Sequence, residues 1–199
     1  MDGKTYHFRR REEIDAFRGK ENFVVLDVRG DLQAVDMADL HRQLQASDVL
    51  FEGNPFIACE LLSALQTQLQ TLSIFLSPLS KAEILFLKSS GANVVLSDFI
   101  ADVMRRTLLR RTQRQKEILS LKDLENIERR AASAFGELKL AWRFDHVIPN
   151  HDGEDSENWD GFYYPIGEAR RALDTLVAIV EGRGPGTVEK WEAELMDAN

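Results

Sequence analysis

Apolar positions recur at two spacings along the chain, and the alternation between them predicts its elements. Residues 9–19 place Ile14 and Phe17 on one face of a short helix, with Gly19 as its stop. The β-branched run at 23–29, closed by Gly30, predicts a strand. Val35, Leu40 and Leu44 return to near-helical spacing over 35–46. A short apolar strand is expected at 49–52, before the Gly53-Asn54-Pro55 turn. Ile57, Leu61, Leu62, Leu65 and Leu69 form one stripe of a helix over 56–70.

The second half reads the same way. Residues 72–77 predict a strand broken by Pro78, and Ser80 is suited to cap a helix over 81–88 that Gly91 ends. Asp98 is expected to cap a longer helix over 99–118, and a helical pattern restarts at Leu121 and runs to Trp142. Residues 146–149 predict a short strand leading into an acidic, glycine-containing loop at 150–161. The last strong helix is expected at 167–181, followed by a Gly184-Pro185-Gly186 break and one or two helical turns. The order of strands and helices implies an α/β layer structure with a partly parallel sheet.

Composition narrows the classes. At 199 residues, with 44% hydrophobic and 29% charged side chains, the chain can bury a core without covalent staples. A single cysteine, Cys59, excludes an intrachain disulfide and a thiolate zinc cluster, and its place on an apolar stripe makes it a buried small hydrophobe. The N-terminal residues are polar and charged, unlike a secretory signal. No apolar run approaches the ~20 residues of a spanning helix. The expected location is cytoplasmic, with no membrane partner. A net charge of −8 argues against general nucleic-acid binding, which requires a net positive surface. Against that acidity stands one basic helix carrying Arg105, Arg106, Arg110, Arg111 and Arg114. It suits clamping of phosphates, a solvated face paired with nearby acids, or docking to an acidic or phosphorylated protein partner. His146, His151, Asp152, Glu154 and Asp155 include metal-ligating side-chain types, but without a fixed ligand spacing they read as a solvated acidic loop, and no metal site is expected.

Four segments, in order, carry a resemblance. DGKTYHF at 2–8, followed by RRREEI, is similar to the guanylate kinase pattern DGxDYHF followed by EEF. FVVLDVRG at 23–30 is similar to the strand that ends in VHG. SIFLSPLS at 73–80 is similar to IFIxPPS. IERRAASAFGEL at 127–138 with FDHVIPNHD at 144–152 is similar to RRLxxAxxEL and YDxVIVNDD. Over about residues 1–180 the chain therefore resembles a guanylate kinase-like member of the nucleoside monophosphate kinase lineage. That resemblance implies a P-loop-kinase-type layered sheet with helices on both faces and an enlarged helical lid. It divides residues 1–182 into an acceptor-binding segment at 1–48, a core at 49–97, a lid at 98–142 and a second core part at 143–182, with a tail at 183–199. It implies ATP and Mg²⁺ as cofactors and a nucleoside monophosphate as acceptor. By the same resemblance Tyr6, Gln33 and Glu52 bind the acceptor, Arg130 and Lys88 act on the transferring group, and Asn150 contacts adenine.

The departures from the pattern are chemical. The chain opens at DGKTYHF, a motif that the resemblance places after a strand and P-loop, and no G-x-x-x-x-G-K-[ST] run occurs in its 199 residues. The resemblance thus implies either a natural protein that begins upstream or a rebuilt sheet centre. Without the P-loop's backbone donors and lysine, positioning of the phosphates is lost, so this chain is expected to be inactive as a kinase. Val24 falls where the family's glutamate reads guanine, and a valine cannot accept from guanine's N–H groups. Gln33 replaces a phosphate-binding tyrosine, and Glu52 alone stands in for a pair of acids. FLKSSG at 86–91 keeps Lys88 but none of the family's lid arginines there. The competing expectation is a non-catalytic protein-interaction module of guanylate kinase type. WDGFYYP at 159–165 adds aromatics suited to packing on the last helix or stacking on a base.

Overall fold

The computed structural model describes residues 7–65, 70–89, 94–153, 156–184 and 186–197. It is a mixed α/β structure in which helices predominate. Among the described residues there are seven α-helices and four strands in two two-stranded sheets, and no layered sheet. The chain divides into two compact units, residues 1–71 and 72–199.

In the first unit a five-residue helix, α1 (Arg11–Asp15), precedes an antiparallel hairpin of β1 (Phe23–Val28) and β2 (Asp31–Asp36). Val28 pairs with Asp31, so only Arg29 and Gly30 turn the chain. Both have positive φ, 58° and 86°, as a two-residue type I′ turn requires. This turn overturns the expectation of near-helical structure from residue 35: a reversal this tight returns residues 31–36 directly onto β1. Asp27 supports the turn by accepting from the Gly30 N–H at 2.8 Å, and Arg11 bridges Asp27 and the Gly30 carbonyl, each at 2.8 Å. Arg29 is a β-carbon residue in a left-handed conformation, which is costly for L-residues. Arg29→Asn is expected to raise the stability of this unit by about 0.5–1 kcal/mol, read from its urea midpoint, because asparagine tolerates that conformation better.

Asp36 ends β2 and caps α2 (Met37–Leu44), accepting from the N–H groups of Ala38 and Asp39. Residues 49–52 are not a strand. Leu50 and Phe51 are exposed, and the 49–52 run forms no ladder with any strand among the described residues. Asn54 accepts from the Phe56 N–H at 2.9 Å and starts α3 (Pro55–Leu65), with proline at the first helical position where no donor is needed. Ile57, Leu61 and Leu65 bury the predicted stripe against Val24, Leu26, Val28 and Val35 of the hairpin, and Cys59 is buried in the same helix. The rest of the predicted 56–70 helix runs into residues 66–69, which lie outside the described set, as do Gly91 and Tyr6.

The second unit is built on β3 (Ile74–Ser77) and β4 (His146–Pro149), which pair in parallel. Parallel pairing needs a crossover, and here it comprises α4 (Lys81–Ser89), α5 (Leu96–Gln115) and α6 (Leu121–Leu138). The helix expected from 99 begins at Leu96 with Val95 before it. Asp98 therefore lies in the first turn instead of capping it, where its charge favours the helix dipole. Ser120 and Asp123 form a reciprocal capping box that starts α6. That helix stops at Leu138, short of Trp142, and a 3₁₀ turn at Ala141–Arg143 follows.

Strand alternation orders the core. Ile74 and Ile148 pack with Ala172 and Ile179 of α7 (Gly167–Val180). Phe75, Ser77 and Val147 point to the opposite face and are also buried. The far edge of β4 is occupied by Glu189, which exchanges two backbone hydrogen bonds with Val147. Trp191, Leu195 and Met196, in the segment expected as a tail, are buried in this unit.

Candidate functional site at the carboxyl ends of the parallel strands

Parallel strands bring their carboxyl ends side by side, the end of an open α/β sheet where ligands bind. Here Ser77 and Pro149 are register partners, and the Asn150 N–H extends the ladder by one bond to the Ser77 carbonyl at 2.8 Å. The buried Ser77 hydroxyl donates to the Leu79 carbonyl at 2.6 Å, holding the turn through Pro78. Ser80 then caps α4: its Oγ accepts from the Glu83 N–H at 3.2 Å, while Glu83 Oε2 accepts from the Ser80 N–H at 2.7 Å and from its hydroxyl at 2.8 Å.

On the other strand, Asn150 opens a turn closed by Gly153, whose φ is +66° and whose missing Cβ leaves room for the Thr107 methyl of α5. Asp152 accepts from the Ala169 N–H at 2.8 Å and from Asn158 at 2.9 Å, fixing the head of α7 and the loop before it. Trp159 donates its indole N–H to the Gly153 carbonyl at 2.6 Å. Its aromatic neighbours Phe162, Tyr163 and Tyr164 are exposed.

Between the heads of α4 and α7 sits His151. Its Nε2 is 2.8 Å from Glu83 Oε2 and its Nδ1 is 3.4 Å from Glu168 Oε2; Glu168 also pairs with Arg171 at 2.7 Å. Partial burial pushes the imidazole down, but the hydrogen bond and charge of Glu83, and then those of Glu168, outweigh it and raise its pKa. Burial pushes the Glu83 carboxyl up, and its bonds from Ser80 and His151 reverse that, for a net fall.

Asn150 lies at the centre of this end. Its Oδ1 is buried and has no donor among the described residues. A buried acceptor without a donor costs about 1–3 kcal/mol. An N–H donor brought to it would satisfy it. Among the described residues no group of three ligating side chains is arranged for a metal ion.

The other residues singled out by sequence lie elsewhere in their units. Lys88 stands at the end of α4 and donates to the carbonyls of Leu195, at 3.2 Å, and Asp197, at 2.9 Å, holding the C-terminal turn against that helix. Arg130 is half-buried midway along α6. In the first unit Gln33 is half-buried on β2 opposite Leu26, and Glu52 is exposed before α3. Val24 packs into the apolar cluster around α3. In the basic helix Arg105 pairs with Asp102 and with Glu128, the latter at 2.7 Å, and Arg114 pairs with Glu157 at 2.8 Å.

Sequence reasoning had not joined Glu83 and Glu168 to His151, since they stand 68 and 17 residues from it. The sequence singled out Ser80 as a cap and did not single out Glu83. No helix among the described residues is long and apolar enough to cross a membrane. Neither a scan of protein-family models nor a search of curated proteins returns a match to this chain.

Proposed function

We propose that this chain is a guanylate kinase-like nucleotide-binding protein that receives the base of an adenine nucleotide at the carboxyl ends of β3 and β4. One observation carries the reading: the donorless Oδ1 of Asn150 stands at the position to which the resemblance gives adenine. The parallel β3–β4 pair with its helical crossover supports the kinase-type sheet in part. The reading makes the pair one side of a layered sheet with helices on both faces. The edge of β3 away from β4 pairs with no described residue, and its backbone groups there can take a further parallel strand. On this reading α5 and α6 form the enlarged lid carrying Arg130.

Binding is proposed without turnover. The 199 residues hold no P-loop motif, and phosphoryl transfer depends on the cradle that such a loop supplies. ATP is expected to raise the melting temperature of the protein, because a ligand bound only to the folded state stabilises it by mass action. Asn150→Ala is expected to weaken ATP about tenfold, or ~1.4 kcal/mol, while leaving the ligand-free melting temperature unchanged or higher, since the substitution removes a buried acceptor without a partner. Turnover of ATP with any nucleoside monophosphate by this chain alone would contradict the proposal.

A second reading is favoured by Val24. An apolar residue packed into a core cluster at the guanine-reading position suits a non-catalytic interaction module. Under that reading ATP gives no thermal shift, and an acidic or phosphorylated peptide binds the 105–114 stretch in competition with the pairs to Glu128 and Glu157.

A further inference from the structure

The neutral imidazole has one donor nitrogen and one acceptor nitrogen, whereas the imidazolium has two donors. Both ring nitrogens of His151 face carboxylate oxygens, which only accept: Glu83 from the head of α4 and Glu168 from the head of α7. A neutral ring could satisfy one and would present a lone pair to the other. We propose that His151 is a proton-operated latch, which as imidazolium fastens the head of α4 to the head of α7 across the carboxyl ends of β3 and β4, and on deprotonation keeps the shorter contact to Glu83 and releases Glu168.

The surroundings supply no competing switch among the described residues. On α7 Arg171 engages the other oxygen of Glu168 and holds that carboxylate in place. Asp152, next in the chain, is turned to the Ala169 N–H and Asn158. From α5 the contact to this turn is the uncharged Thr107. From the C-terminal segment, Glu189 is taken up by the Lys81 N–H and the Trp191 indole. Two helix heads far apart in sequence thus meet on one imidazolium, each on its own ring N–H. The upward shift of His151 sets the sign. The latch contributes fully below the ordinary histidine pKa of about 6.5 and is lost as pH rises through the higher folded-state value. This inference stands on the three side chains and does not depend on the nucleotide reading.

The test is an NMR titration of the imidazole resonances of the intact chain, with amide exchange measured across the same pH range. His151 is expected to titrate above about 6.5, and Glu168→Gln to lower its midpoint. Protection factors of the amides in the first turn of α7 are expected to fall several-fold as His151 deprotonates. In Glu168→Gln that pH dependence disappears, because a glutamine amide can donate to the neutral ring. Glu168→Gln is the variant of choice, since Glu83 also caps α4. A midpoint at or below 6.5, or protection that is flat across the midpoint in the unsubstituted chain, would overturn the latch.

Discussion

Replacing Phe144 by alanine is expected to destabilise the second unit by about 3–5 kcal/mol, the range for deleting a large, fully packed aromatic side chain. Phe144 lies two residues before β4, is only 4% exposed, and meets Phe75 of β3 edge to face, with centroids 5.3 Å apart and planes at 71°. Its carbonyl also receives the Lys190 ammonium from the C-terminal segment. One residue therefore joins both strands of the parallel pair to the segment that closes the far edge of β4. Urea denaturation followed by tryptophan fluorescence would register the loss as a lower midpoint with an unchanged slope. Phe144→Leu keeps most of the apolar volume and is expected to cost less than half as much. A loss below about 1 kcal/mol for the alanine variant would mean that the site collapses easily and that this contact is not central to the core.

The second large effect is expected at Asp145. Its carboxylate accepts from the Ser73 N–H at 2.9 Å and the Ser73 hydroxyl at 2.6 Å, while its own N–H donates back to that hydroxyl at 2.9 Å. Residues 72 apart in sequence are thereby locked at the amino ends of β3 and β4, which sets the register that continues to Asn150. Ser73 is buried, so Asp145→Ala strands its N–H, at a cost of about 2 kcal/mol within the 1–3 kcal/mol range for such groups. The effect has a pH signature. Partial burial pushes the Asp145 carboxyl up, but the Ser73 hydroxyl and N–H, with a smaller contribution from the Lys190 charge, hold it below the ordinary range. Its contribution is present above the unfolded carboxylate pKa of about 3.9 and is lost as pH falls through the folded value. Asp145→Asn is expected to flatten the acid side of the stability profile of the second unit, and a variant profile parallel to that of the unsubstituted chain would contradict this role.

Much of the fold was legible because single elements obey local rules. The 3.6-residue spacing and caps fix α4 and α7 to within a residue. β3 and β4 follow from apolar runs bounded by Pro78 and Pro149. What failed locally depended on events that a window does not contain. Residues 31–36 became a strand because Arg29 accepts a left-handed conformation, and arginine gives no sign of that in sequence. Residues 49–52 have strand-like composition but no partner strand among the described residues, and a strand exists only with a ladder. Asp98 met the composition of a cap, yet the helix had already begun at Leu96. The candidate site divides along the same line. Asn150 was singled out because it sits inside a run of motif. His151 read as part of an acidic loop, because the carboxylates that define its chemistry come from two helices brought together only by the parallel pairing.

The central claim is that the carboxyl ends of β3 and β4 receive a nucleotide base on Asn150. The most direct measurement is a ¹H–¹⁵N amide titration of the chain with ATP. The account predicts saturable shifts at Ser77, Asn150, His151 and Asp152, abolished in Asn150→Ala, whose spectrum otherwise retains the fold. Absence of shifts at these four residues under millimolar ATP, or an unchanged response in Asn150→Ala, would contradict it.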